Sequence, residues 1–88
     1  MSANNLNVEA LVKAHNEGFN EAASIKLGDT FLGAHPAAEA RGHDIHSTSG
    51  RMFVCGYLNG LDKAFPNGIK INMDTNAVVS KPCHVAPL

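Results

Sequence analysis

Ser49-Gly-Arg-Met-Phe-Val-Cys-Gly-Tyr-Leu-Asn-Gly-Leu-Asp-Lys-Ala-Phe65 is the stretch whose reading decides the fold. At about 100° per residue, Phe53, Val54, Tyr57, Leu61, Ala64 and Phe65 share one face of a helix. Arg51, Cys55, Asn59, Asp62 and Lys63 share the other. Gly56 and Gly60 lie four apart along one edge of the apolar face. Each costs about 1 kcal/mol relative to alanine inside a helix, so the pair calls for another backbone passing close by.

The N-terminal part of the chain offers that backbone. Asn7 is placed to cap a helix, Glu9 follows in its first turn, and Gly28 is placed to end it. Val8, Leu11, Val12, Gly18, Phe19, Ala22 and Ile25 would form its apolar face. Ala10, Ala14, Gly18 and Ala22 make a stripe of small residues like that of Gly56, Gly60 and Ala64. Such stripes let two axes approach more closely than the usual 8–10 Å or so. The expectation is an antiparallel pair of helices, about 7–27 and 49–65.

Outside this pair, Pro36 to Arg41 followed by Gly42 reads as a short connecting helix over 36–41. Phe31 and Leu32 would anchor the loop before it, and Ser47, Thr48 or Ser49 would cap the main helix. After Phe65, Pro66-Asn67-Gly68 is a turn signal. Ile69 to Met73 alternates apolar and polar, and Ala77 to Lys81 is a second short candidate. These predict a C-terminal β-hairpin, 69–73 paired with 77–81, resting on the helices through Ile69, Ile71 and Met73. The fold class expected is therefore α+β. It is a single small domain over 1–88, with residues 1–5 frayed and an irregular tail after Pro82.

An apolar share of 44% and a charged share of 17% suit a folded globular chain and argue against disorder. No apolar run approaches the roughly 18 residues of a membrane span. The net charge of −1, with seven scattered Lys and Arg, lacks the basic excess of a nucleic-acid binder, so no direct nucleic-acid contact is expected. No basic region precedes an apolar stretch at the N-terminus, which points to a cytoplasmic chain with Cys55 and Cys83 as reduced thiols.

Among the five histidines, His43-x-x-His46 together with Cys83-His84 supplies ligand types suited to zinc. The four residues lack the paired-knuckle spacing of structural zinc sites, so neither metal nor cofactor is expected. Were a metal bound, His43, His46, Cys83 and His84 would hold it. His15 falls near the middle of the first helix's apolar face, where a half-buried imidazole would meet Tyr57 or a neighbouring carbonyl. Ser47 to Arg51 is rich in glycine and hydroxyls but lacks the spacing of a phosphate-binding loop. No acid–base pair, nucleophile triad or cofactor loop can be assembled, and the chain is expected to be non-catalytic.

Phe53-Val-Cys-Gly-Tyr-Leu-Asn-Gly-Leu-Asp-Lys-Ala64 resembles an amphipathic helix found in short accessory proteins of tailed bacteriophages, with its Gly-aromatic-x-x-Gly-Leu-x-x-Ala pattern. The Gly18-Phe19 and Gly56-Tyr57 pairs are more loosely similar to ribosome modulation factor, although its strong basic charge and its tryptophans are missing. The phage resemblance implies an anti-CRISPR-like, anti-defence protein, an inhibitor that occupies a surface on a host protein or nucleoprotein complex. Residues without an evident packing duty would make that contact: Glu17, Glu21, Arg41, His43, Asp44, His46, Arg51, Asn59 and Asp62. A homodimer is compatible with this reading. Two alternatives are an oligomeric nucleotide sponge or sensor and a metal-stabilised structural domain.

Overall fold

Two polar side chains start the two long helices. In the computed structural model, which describes residues 7–88, Asn7 Oδ1 accepts the Ala10 amide at 3.2 Å and opens α1 (Val8–Ala23). Ser47 Oγ accepts the Gly50 amide at 3.0 Å and opens α3 (Thr48–Ala64). Each bond satisfies one of the amides that a first helical turn leaves without a partner. A shorter helix, α2 (Ala34–Ala40), lies between them. It closes with Gly42 at φ 83°, whose amide bonds the Glu39 carbonyl while the His43 amide bonds that of Ala38. Those paired bonds form the left-handed cap that glycine favours. The frayed segment expected over 1–5 lies outside the described residues.

α1 and α3 touch backbone to backbone. A Cβ on Gly18 would strike the Phe53 carbonyl and come within 2.9 Å of the Tyr57 amide nitrogen. On Gly56 it would strike the His15 carbonyl; on Gly60 it would meet the Phe19 oxygen at 2.5 Å and Ala22 Cβ at 2.9 Å. The small-residue stripes therefore do the packing expected of them.

Their direction is a correction. His15 faces Gly56 and Phe19 faces Gly60, four residues further along both chains. The pair is parallel, neither antiparallel nor a helical hairpin. A small-residue stripe permits close approach in either direction. Here the connection of residues 24–47, containing α2, carries the chain back along the pair to begin α3 beside the start of α1. A long connection with its own helix allows this, whereas a short loop forces antiparallel neighbours.

α1 also ends earlier than expected, at Ala23 rather than near residue 27. Ser24 Oγ bonds the Asn20 carbonyl, and Lys26 to Asp29 form a turn, with Asp29 Oδ2 accepting the Lys26 amide at 2.8 Å. Those side-chain bonds compete with another helical turn.

The core lies on the side of the pair that α2 covers. Phe53, fully buried, packs with Ala22, Ala38 and Tyr57, and Phe31 and Ile45 close around them. A second cluster of Ala64, Phe65 and Val78 sits where both long helices end, joined to the first through Ile25, Phe31 and Leu61.

No hairpin forms, and the described residues contain no strand, so the α+β class gives way to a helical one. Among the described residues two isolated antiparallel bridges occur, Thr30 with Ala77 and Ile71 with Val78. The Val78 main chain also exchanges hydrogen bonds with Gly28 and Asp29, so residues 77–79 lie between two irregular segments. Asn72 takes up the residues that would extend a ladder: its side chain accepts the Asp74 amide and its carbonyl the Asn76 amide. The period-two pattern also misplaces Met73, which is 88% exposed, while Val78 supplies the buried side chain.

Gly18→Ala and Gly56→Ala test the seam. Alanine raises helix propensity by about 1 kcal/mol, yet here its methyl meets a carbonyl. Both variants should lose about 1–3 kcal/mol, lowering the thermal midpoint by at least about 5 °C. Leu58→Ala, on the exposed side of α3, should leave the midpoint within a few degrees.

Candidate interaction face

The return path of the chain brings four of the expected contact residues together. Arg41, the C-terminal cap of α2, directs Nη2 and Nε to Glu21 Oε1 at 2.7 and 2.8 Å. About one turn earlier on α1, Glu17 Oε1 lies 3.8 Å from His43 Nε2. The His43 ring leans on Phe53, with ring centroids 5.2 Å apart, which ties this polar strip to the core. Exposed ion pairs contribute roughly 0–1 kcal/mol to stability. Their larger effect here is to hold side chains from α1 and from the end of α2 in a fixed arrangement.

Asp44 belongs to the local fold. Its Oδ1 accepts the His46 amide at 2.9 Å, and its carbonyl accepts both the Ser47 amide and the Ser47 hydroxyl. Gly50 leaves room for that same carbonyl. His46, Arg51 and Asp62 are exposed and take no part in the Glu21–Arg41 strip. Asn59 is elsewhere too: its amide lies 3.2 Å from His15 Nε2 across the seam and 3.9 Å from Cys55 Sγ. His15 Nδ1 meets Asn16 Oδ1 at 3.1 Å, so the imidazole finds polar partners in place of Tyr57.

The four residues with zinc-ligand chemistry are not gathered. Among the described residues no three His, Cys, Asp or Glu side chains converge on a point suited to a metal. His43 lies near the start of α3, while the Cys83 amide bonds the Ala64 carbonyl at its end. A 17-residue helix separates the two, a rise of about 25 Å.

One element of the face escapes a reading of the sequence. Beside the Glu21–Arg41 pair is an open cleft of about 210 Å³, walled by Leu32, Pro36, Ala37 and Ala40, with Glu21, Thr30 and Tyr57 also lining it. The Tyr57 ring stacks with Phe31 and Phe53, and the residue is 5% exposed. No side-chain or main-chain group among the described residues pairs with its hydroxyl, and the residue lines the open cleft. A signal was available: the only tyrosine in the chain falls on a helix face otherwise made of Phe, Val, Leu and Ala.

No known protein family, curated protein or solved structure matches the chain.

Burial, and next to it the negative charge of Glu21, push the Tyr57 hydroxyl from 10.0 up to about 12. The folded chain thus favours the neutral phenol. Below pH 10 both folded and unfolded chains are protonated and the contribution is whole. Between about pH 10 and 12 the unfolded chain gives up the proton first, so stability falls as pH rises. The loss is on the order of 1–2 kcal/mol, because the cleft keeps some solvent at the hydroxyl. Tyr57→Phe should flatten that part of the pH–stability curve. With a single tyrosine and no tryptophan, phenolate absorbance should titrate about two units higher in the folded chain than in denaturant.

Proposed function

We propose that the chain is a non-catalytic binding module that works through protein–protein contact, and that the side carrying Glu21, Arg41 and the adjoining cleft is its contact face. The observation that carries this reading is the anatomy of that side: a small cleft with apolar walls and the polar side chains of Glu21, Thr30 and Tyr57, bordered by a pre-formed ion pair. Interfaces place their binding energy in such apolar pockets and surround them with a polar rim. Because Arg41 is already held by Glu21, less side-chain freedom is lost when a partner docks.

The phage-like pattern in Phe53–Ala64 gives the finer form of the proposal: an anti-CRISPR-type inhibitor acting in the host cytoplasm on a defence or nucleoprotein complex. Gly56, Gly60 and Ala64 of that pattern are buried in the packing of α3, and of its residues Tyr57 lines the cleft. Arg51 and Asp62 line the opposite side of α3 and are assigned no contact.

The test is capture of a partner from a bacterial lysate with tagged protein, followed by binding with purified components. Ala40→Arg, at the cleft edge, and Arg41→Glu should each weaken the complex at least tenfold while the circular dichroism melt stays near that of the parent. Leu58→Arg, on the outer side of α3, should bind normally. Equal loss with all three variants, or none with the first two, would remove this face from the proposal.

A further inference from the structure

We infer that the cleft beside Tyr57 is a pocket for a side-chain carboxamide, a glutamine or asparagine supplied by the partner protein. The inference rests on the reading of this side as the contact face for the source of the carboxamide, and on the pocket itself for the chemistry.

Size comes first. Sites for free small molecules usually measure about 300–1,000 Å³; the cleft, at about 210 Å³, is smaller and suits one side chain. The walls are apolar, formed by Leu32, Pro36, Ala37 and Ala40, and would take methylene groups. Three polar side chains line the same space: the Thr30 hydroxyl can donate or accept, while Tyr57 and Glu21 each ask for a different partner. The Tyr57 hydroxyl, on a residue that lines the cleft, has no protein partner among the described residues, and as a neutral phenol it is a donor available to an acceptor that enters. Glu21 is an acceptor. Both Arg41 contacts fall on its Oε1, which leaves Oε2 available to a donor.

A carboxamide has one acceptor and two donors on a single small planar group. Its carbonyl oxygen matches the phenol and its amide nitrogen matches Glu21 Oε2. A carboxylate would present a like charge to Glu21. An ammonium would meet Arg41 nearby and leave the phenol hydrogen without an acceptor. An apolar side chain would seal the hydroxyl away from water unpaired, which costs about 1–3 kcal/mol. Sites that hydrogen-bond a specific group reject analogues lacking it more strongly than apolar pockets reject a change of size.

Backbone amide NMR titration of the full chain tests the chemistry without the partner. The probes are propionamide, its charged isostere propionate, and a capped tripeptide with a central glutamine beside the same peptide with glutamate. Saturable shifts at Leu32, Ala37, Ala40 and Tyr57 are expected with propionamide and the glutamine peptide. Propionate and the glutamate peptide should bind at least tenfold more weakly. Tyr57→Phe should reduce the amide response at least tenfold, and Glu21→Gln should narrow the preference over carboxylate. Absence of these shifts at high millimolar probe, equal binding of propionate, or an undiminished response in a folded Tyr57→Phe would each overturn the pocket. Amide-specific binding together with an unchanged partner affinity in Ala40→Arg would retain the pocket chemistry but overturn the partner as its source.

Discussion

The constraint on which the rest of this structure depends is contact between two backbones. Where Gly18, Gly56 and Gly60 bring α1 and α3 together, no side chain fits between them. Most helix pairs in water are held apart by interdigitated side chains and bury their apolar surface in the gap. Here the gap is closed, and the large side chains that would have filled it, Phe53 and Tyr57, are displaced to one side of the pair. The seam itself contributes many short dispersion contacts and little apolar area. Burial of the aromatic side chains therefore requires another layer, and residues 24–47 supply it. Ala34, Ala37 and Ala38 let that layer come close in its turn, and Ala38 is fully buried against the aromatic cluster.

The parallel direction then determines what the surface looks like. Because α3 starts beside the start of α1, the connecting segment must travel the length of the pair in reverse. It passes Glu21 with Arg41 and then Glu17 with His43 before Asp44 fits against Gly50. The polar strip is thus a by-product of covering the core, built from the outward side of the covering layer and the adjacent edge of α1. A binding face made in this way is rigid where the core is rigid, since His43 rests on Phe53 and the cleft wall is α2 itself.

The parts that were legible in the sequence are those fixed by local chemistry. Asn7 and Ser47 cap their helices, Gly42 closes α2, and the spacing of Gly18, Gly56 and Gly60 announces a close crossing. Direction was not legible, because a stripe of small residues looks the same from either end. The hairpin failed for a related reason: alternation in Ile69–Met73 describes a strand that could form, not one with a partner of adequate length. Asn72 satisfies its neighbours' amides within a turn, and Val78 takes the only buried place. Of the nine residues expected to meet a partner, Glu17, Glu21, Arg41 and His43 converge because the return path joins them. Asp44 resembles a surface carboxylate in sequence, and only the fold reveals that it organises the start of α3.

Under the proposed reading, Tyr57 is where folding and binding make different demands on one position. Phenylalanine would stack on Phe31 and Phe53 with the same ring and would lack only the hydroxyl. On stability alone the hydroxyl adds little, since Tyr57 lines the open cleft and no protein group among the described residues pairs with its hydroxyl. Local departures from what best stabilises a fold concentrate at sites that bind or react. This one coincides with the opening of the core at the edge of α2, next to a carboxylate with a free oxygen. A structural account of Tyr57 explains its ring. The hydroxyl lies outside that account, at the opening that the cleft makes beside the aromatic cluster.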